Sequence, residues 1–217
     1  MVQDIKAVIW DFGGVLTSSP FEAFNRYEAS NGLPKDFIRS VNARNGDTNA
    51  WAKLEQSRVK AEEFDVLFRE EAKALGHDVP GKDVLGLLSG ELRPRVVEAL
   101  KLCKSKVKVG CITNNAPVGK GASMTNDEGR AAEVSKVFDL FDDVIESSKL
   151  GIRKPDPRIY ALMCEALDVD PKNCVYLDDL GINLKPARAM GMTTIKVLGE
   201  DQLLDDLAAA TGWPVNA

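Results

Sequence analysis

The amino-acid sequence predicts an α/β fold in which a parallel β-sheet is sandwiched between helices and carries an inserted helical segment. Short apolar runs rich in β-branched residues alternate with stretches whose apolar residues recur at helical spacing. Such alternation is typical of a parallel sheet covered on both faces. Residues 18–93 interrupt it with helical patterns and no convincing strand, which predicts an insertion.

Five apolar runs are the predicted strands, and the first of them is expected to be central in the sheet. They cover residues 5–10, 107–112, 144–146, 174–177 and 193–198. Helices are predicted between the later runs, at residues 95–102, 157–167, 184–190 and 202–210. Asp156 is the expected N-cap of the second of these, because Pro157 suits the first helical position.

The predicted domain organisation is a core of residues 1–17 and 94–217 with a helical cap of residues 18–93. Within the cap, helical patterns lie near residues 21–30, 36–41, 60–75 and 83–88. Phe24, Tyr27 and Trp51 are candidates to line a substrate pocket, but packing inside the cap is favoured, because aromatic residues at helical spacing are usually core. The glycine-rich polar stretch 119–129 predicts a loop.

Composition narrows the classes of function. Hydrophobic residues make up 44% and charged residues 28%, as in ordinary soluble domains, and the formal net charge of −5 argues against nucleic acid or an anionic membrane as a partner. Neither a signal peptide nor a membrane span is expected.

The cysteines point to a reduced environment. The four cysteines have no CxxC spacing and the chain has a single histidine, so a zinc site is disfavoured. Most of them sit in apolar runs and predict buried thiols of a cytoplasmic protein.

Polar residues end three of the apolar runs: Asp11, Thr113 and the pair Asp178-Asp179. A parallel sheet brings such strand ends to one edge, where α/β proteins bind ligands. Lys154 follows the third run and precedes a helix, so it can reach the same edge. Carboxylates this close repel one another unless a cation joins them, and oxygen ligands favour Mg²⁺.

Four segments in order resemble the motifs of the haloacid dehalogenase (HAD) superfamily, whose fold is Rossmann-like. They are residues 11–16 (DFGGVL), 113–115 (TNN), 154–157 (KPDP) and 177–188 (LDDLGINLKPAR). The last segment is most similar to the N-terminal phosphatase domain of soluble epoxide hydrolases and to the HAD-like domain fused to some acyl-CoA dehydrogenases. The resemblance covers nearly the whole chain and is weakest in the helical insertion.

The resemblance implies a Mg²⁺-dependent phosphatase of small phosphorylated metabolites. Asp11 would attack phosphorus, and water would hydrolyse the resulting aspartyl-phosphate. The metal ligands implied are Asp11, the backbone carbonyl of Gly13 and Asp179, with Asp178 acting through water.

The resemblance also assigns the phosphate-binding groups. Thr113 and the backbone or side chain of Asn114 would hold phosphate oxygens. Lys154 would supply positive charge where negative charge develops in the transition state. Asn183 would orient Asp179 from behind the metal site.

The chain departs from the superfamily pattern at Gly13. Phosphatases of this superfamily usually have Asp-x-Asp, and the second Asp is the general acid and base. Losing a general acid typically costs about 10²–10⁴-fold in rate. Three accounts stay open: a substrate with a good leaving group such as an acyl or anomeric phosphate, proton delivery by water or a cap residue, or weak catalysis. The resembling dehydrogenase-fused domains share the Asp-x-Gly-Gly pattern.

Three alternative functions follow from the same residues. A protein that binds phosphorylated metabolites without turning them over is kept open by Gly13. A haloacid dehalogenase attacks carbon without Mg²⁺ and lacks the acidic pair that Asp178 and Asp179 form here. A mutase depends on the missing general acid.

Overall fold

A five-stranded parallel sheet forms the centre of the protein. The computed structural model describes residues 4–115, 124 and 127–215. The strands are β1 (Ala7–Trp10), β2 (Lys108–Thr113), β3 (Asp143–Glu146), β4 (Cys174–Asp178) and β5 (Thr193–Lys196). Their order is β3-β2-β1-β4-β5, and each neighbouring pair is parallel. The α/β prediction and the central place of the first strand are both confirmed.

Eleven helices are seen in the described part of the chain. Five follow β1: α1 (Pro20–Ser30), α2 (Phe37–Ala43), α3 (Ala50–Glu55), α4 (Ala61–Lys73) and α5 (Gly81–Leu85). Six accompany the later strands: α6 (Pro94–Lys104), α7 (Glu128–Phe138), α8 (Ser147–Leu150), α9 (Pro157–Leu167), α10 (Gly181–Ala189) and α11 (Glu200–Thr211).

The two faces of the sheet are covered by different helices because side chains alternate along each strand. Val8 and Trp10 of β1 point into an apolar cluster with α6, α7 and α11. Ala7 and Ile9 point into a second cluster with α9 and α10. The result is the three-layered sandwich that the sequence predicts, with the sheet buried between helices.

Helices α1 to α5 share an apolar cluster of their own, and residues 18–93 are called the helical insertion below. Phe24 is buried in that cluster, and Tyr27 and Trp51 pack against it. This confirms the interpretation of these aromatic residues as packing residues. An antiparallel bridge between Thr17 and Leu92 joins the two chain passages at the base of the insertion. The division of function between a core and a cap stays a prediction.

The sequence missed three short or weakly patterned helices. The six residues of α3 are too few to display a helical period, although Asn49 caps the helix by accepting a hydrogen bond from the backbone of Ala52 at 2.8 Å. Helix α8 has only four residues. Helix α7 begins at Glu128, inside the predicted loop 119–129, of which residues 119–123, 125 and 126 lie outside the described residues.

The N-cap of α9 and the burial of the cysteines agree with the sequence. Asp156 is the N-cap of α9 and accepts a hydrogen bond from the backbone of Arg158 at 3.0 Å, as predicted. All four cysteines are buried and free of disulfides. Among the described residues, the helices are too short or too polar to cross a membrane.

Candidate active site

Three strands deliver polar residues to one edge of the sheet. Asp11 follows β1 directly, Thr113 ends β2 and Asp178 ends β4. The registers place Trp10 beside Cys111 on one side and beside Leu177 on the other, so the strand ends lie level. The backbone N–H of Asp11 donates to the carbonyl of Leu177 at 2.9 Å, which continues the hydrogen-bond ladder of the sheet as far as Asp11.

Asp11, Asp178 and Asp179 form a cluster of carboxylates at this edge. Each offers an oxygen that lies within 4.8 Å of the others. Burial raises the pKa of Asp11 well above its ordinary value, and the negative charges of Asp178 and Asp179 raise it further. Burial and the charge of Asp178 together raise the pKa of Asp179 to about 6. A positive charge nearby is therefore needed to stabilise the carboxylates in their charged form.

Lys154 supplies part of that charge from a fully buried position. Its Nζ lies 2.8 Å from Asp11 Oδ1 and 2.8 Å from Asp178 Oδ2, and its side chain is 1% exposed. Burial by itself would lower the pKa of Lys154, but the two carboxylates outweigh burial and raise it. The ammonium therefore stays protonated and is held against the candidate nucleophile.

Asp178 is held by several donors besides Lys154. The hydroxyl of Tyr176 donates to its Oδ2 at 2.6 Å, and the backbone of Leu180 donates to its Oδ1 at 2.8 Å. The amide of Asn183 lies 3.1 Å from both oxygens. The sequence predicts that Asn183 orients Asp179; the first turn of α10 directs its amide to Asp178, and an effect on Asp179 stays a prediction.

Tyr176 is a site residue that the sequence analysis missed. It lies two positions before Asp178 on β4, so strand alternation puts both side chains on one face, and that spacing was the available signal. Its ring packs edge-on against Tyr160 with centroids 5.3 Å apart. The hydroxyl of Tyr160 donates to the carbonyl of Asn183 at 2.7 Å, which completes the support beneath Asp178.

The loop after β2 is bound to the segment that carries Lys154. The side-chain amide of Asn114 donates to the carbonyl of Lys154 at 3.0 Å and accepts from its N–H at 2.9 Å. Asn115 makes a parallel attachment, donating to Glu146 at 2.7 Å and accepting from Ser148 Oγ at 2.9 Å. Of the two groups predicted on Asn114, the side chain is thus hydrogen-bonded to the backbone of Lys154, and the role of the backbone N–H stays a prediction.

The donor set fits a hard divalent cation. Carboxylate oxygens gather at the edge, and Gly13, whose backbone carbonyl is the fourth predicted ligand, follows Asp11 by two positions. Oxygen-only donors with several negative charges suit Mg²⁺. Asp179 is the more accessible acid of the pair, whereas the oxygens of Asp178 already contact Lys154, Tyr176 and Asn183 and are less suited to bind a metal directly.

Comparison with known proteins finds relatives over nearly the full chain. It is 33% identical over 97% of its length to Acyl-CoA dehydrogenase family member 10 of Mus musculus and 30% identical over 96% to Bifunctional epoxide hydrolase 2 of Mus musculus. The chain spans only 20% and 39% of the lengths of these two proteins. It is also 28% identical to Phosphatase MT3486 of Mycobacterium tuberculosis, covering 93% of this chain and 91% of that protein.

Solved structures share the fold. A HAD family enzyme from Bacteroides thetaiotaomicron, in complex with magnesium and inorganic phosphate, matches with a TM-score of 0.60 and 22% identity, over 91% of this chain and 96% of that one. The haloacid dehalogenase-like hydrolase family matches residues 5–191. The four motifs, their meeting at one sheet edge and this match agree, and the chain belongs to the haloacid dehalogenase-like hydrolase family.

Proposed function

We propose that this hydrolase is a Mg²⁺-dependent phosphatase of small organic phosphates that works through an aspartyl-phosphate on Asp11. The observation that carries the proposal is the placement of Lys154 Nζ, 2.8 Å from both Asp11 and Asp178, beside a cluster of carboxylates. A carboxylate nucleophile flanked by a fixed ammonium and metal-binding acids suits attack on phosphorus. The relationship to a named phosphatase supports the same reaction.

The metal would be held by Asp11, the carbonyl of Gly13 and Asp179, with Asp178 contributing through water. When bound, Mg²⁺ supplies positive charge that offsets the repulsion between a phosphate group and the carboxylates. Asp178 has a second role in this arrangement. Its contacts with Tyr176 and Asn183 keep it in place to hold Lys154.

The remaining residues bind phosphate and orient the nucleophile. Asp11 Oδ1 accepts hydrogen bonds from Phe12 N at 2.7 Å and from Lys154, which fixes the carboxylate plane. Thr113 and the backbone N–H of Asn114 would bind phosphate oxygens. Lys154 would neutralise charge on the phosphoryl oxygens as they become more negative.

The reaction has two displacement steps. An Asp11 oxygen forms a bond to phosphorus while the bond from phosphorus to the ester oxygen breaks, and the leaving oxygen takes its proton from water. A water molecule then cleaves the aspartyl-phosphate, releasing inorganic phosphate and restoring the Asp11 carboxylate. The helical insertion, acting as a cap, would close over the substrate and exclude bulk water.

Hydrolysis of a generic aryl phosphate tests the proposal. Wild-type protein and Asp11→Asn are compared with and without Mg²⁺. Turnover that requires both Mg²⁺ and Asp11 is the expected result. A wild-type rate that equals that of the variant would overturn it.

A phosphate-binding protein without turnover is the second candidate, and Gly13 at the general-acid position is what favours it. Calorimetric binding of Mg²⁺ and inorganic phosphate in the absence of hydrolysis would support that candidate. Binding accompanied by Asp11-dependent turnover would reject it.

A further inference from the structure

One arginine of the core contacts two separate segments of the helical insertion. Arg153 directly precedes Lys154 in the chain. Its Nε lies 2.6 Å from Glu55 Oε2, at the end of α3, and its Nη1 donates to the carbonyl of Gly46 at 2.9 Å, in the loop before α3. A single side chain therefore joins the insertion to the segment that carries the active-site lysine.

The ion pair between Arg153 and Glu55 is largely buried. The Glu55 side chain is 7% exposed and the Arg153 side chain 20%. Trp51 Nε1 donates to the other oxygen of Glu55 at 2.9 Å, which fixes the carboxylate. Removing one partner of a buried pair leaves an uncompensated charge away from water, which is strongly unfavourable. The pair therefore favours one position of the insertion over the core.

The backbone of Lys154, next to Arg153, is held in place by hydrogen bonds. The side chain of Asn114 binds both the N–H and the carbonyl of Lys154, at 2.9 and 3.0 Å. Because Arg153 is the neighbouring residue, we expect a displacement of Arg153 to strain these hydrogen bonds and to shift Lys154. The insertion meets the same segment again where Ser57 Oγ donates to the carbonyl of Ser148.

Glu55 of the insertion and Lys154 of the core also interact electrostatically. Burial raises the pKa of Glu55, while the positive charges of Arg153 and Lys154 act in the opposite direction. The carboxylate at the end of α3 is thus within electrostatic reach of the lysine that touches Asp11.

We propose that Arg153 is a positioning residue that, through Glu55, ties the seating of the helical insertion to the placement of Lys154 against Asp11. The ammonium is held tightly only when the insertion is seated. This inference rests on the proposed function for its effect on rate. It also predicts a property of Lys154 that can be measured without turnover.

Two variants break the pair from opposite sides. Glu55→Gln keeps the size of the side chain and a partner for Trp51, and Arg153→Met removes the guanidinium. Arg153→Lys retains the charge and is the rescue variant. The control is Arg158→Met on α9. Arg158 pairs with Asp156, and its side chain is 71% exposed. Melting temperatures are recorded for all four.

The first readout is kinetic, with an aryl phosphate and saturating Mg²⁺. Glu55→Gln and Arg153→Met are each expected to lower kcat by about 10²-fold with little change in KM, because misplacing a catalytic group by about 1 Å costs that much. The double variant should be no slower than either single variant, since the two residues act as one unit. Arg153→Lys should recover part of the rate, and Arg158→Met should match the wild type.

The second readout is the proton-exchange rate of the Lys154 ammonium, followed by NMR on ¹⁵N-lysine-labelled protein and assigned with Lys154→Arg. The rate should rise in Glu55→Gln and Arg153→Met but not in Arg158→Met. Faster exchange in a protein that shows no turnover would refute the proposed phosphatase function and leave the coupling standing. Unchanged exchange in folded Glu55→Gln would overturn the coupling, whatever the activity.

Discussion

Gly14 lies directly against Asp179. A Cβ atom placed on Gly14 would be 2.3 Å from Asp179 Oδ2 and 2.6 Å from its Cγ, closer than any side chain can stand. Gly14 also has φ +77°, in the left-handed region that disfavours other residues. The loop after β1 and the acid after β4 are therefore packed so closely that a side chain on Gly14 would have to displace Asp179.

Gly14→Ala is expected to displace Asp179 and weaken Mg²⁺ binding. The strained backbone should also lower the free energy of unfolding by about 1–3 kcal/mol. Mg²⁺ titration by calorimetry and urea unfolding measure the two effects. Gly13→Ala is the matched control, because no atom lies within 4 Å of a Cβ there and its φ is not positive. Equal Mg²⁺ affinity in the two variants would show that crowding between residue 14 and Asp179 does not affect metal binding.

Under the proposed function, Gly13→Asp is expected to supply a general acid at the position that Gly13 occupies. A Cβ atom at Gly13 meets open space, so the new side chain is not blocked at its first atom. Hydrolysis of alkyl phosphates should rise, by up to about 10²–10⁴-fold, and more than that of aryl phosphates, since a poor leaving group needs the proton more. Steady-state rates on a matched alkyl and aryl pair measure this. If the rate on the aryl phosphate rose as much as or more than the rate on the alkyl phosphate, the new Asp would not be acting as the general acid.

Tyr176→Phe is expected to destabilise the protein and slow hydrolysis. The hydroxyl donates at 2.6 Å to the fully buried carboxylate of Asp178, and a hydrogen bond to a charged group contributes about 1.5–3 kcal/mol. Tyr160→Phe is the comparison, because its hydroxyl binds the neutral carbonyl of Asn183 and should contribute only about 0.5–1.5 kcal/mol. Urea unfolding ranks the two, and a larger loss for Tyr160→Phe would argue against the role given to Tyr176.

Removal of Mg²⁺ should lower the melting temperature of the wild type, because the carboxylates then repel one another. At a Mg²⁺ concentration of about 100 Kd, binding stabilises by about 2.7 kcal/mol. Asp179→Asn should raise the melting temperature of the metal-free protein, since burial and Asp178 disfavour the charged form of Asp179. The same variant should lose the response to Mg²⁺. Thermal unfolding with EDTA and with Mg²⁺ distinguishes these cases, and a full Mg²⁺ response in the variant would exclude Asp179 as a ligand.

The sequence by itself determined the layered fold and the meeting of Asp11, Thr113 and Asp178 at one edge. Both follow from local patterns: apolar runs specify strands, helical periodicity specifies the covering layers, and parallel strands end together. Lys154 was also placed at this edge, because it follows the third apolar run and directly precedes the helix that Asp156 and Pro157 begin.

Only the tertiary structure decided the contacts around those residues. Asn183 hydrogen-bonds to Asp178, and Arg153 of the core pairs with Glu55 of the insertion. No local pattern encodes such contacts, because they join side chains that are distant in the chain and depend on the orientation of whole elements. Helix α3, which carries Glu55, was itself invisible in the sequence, since six residues are too few to reveal a helical period.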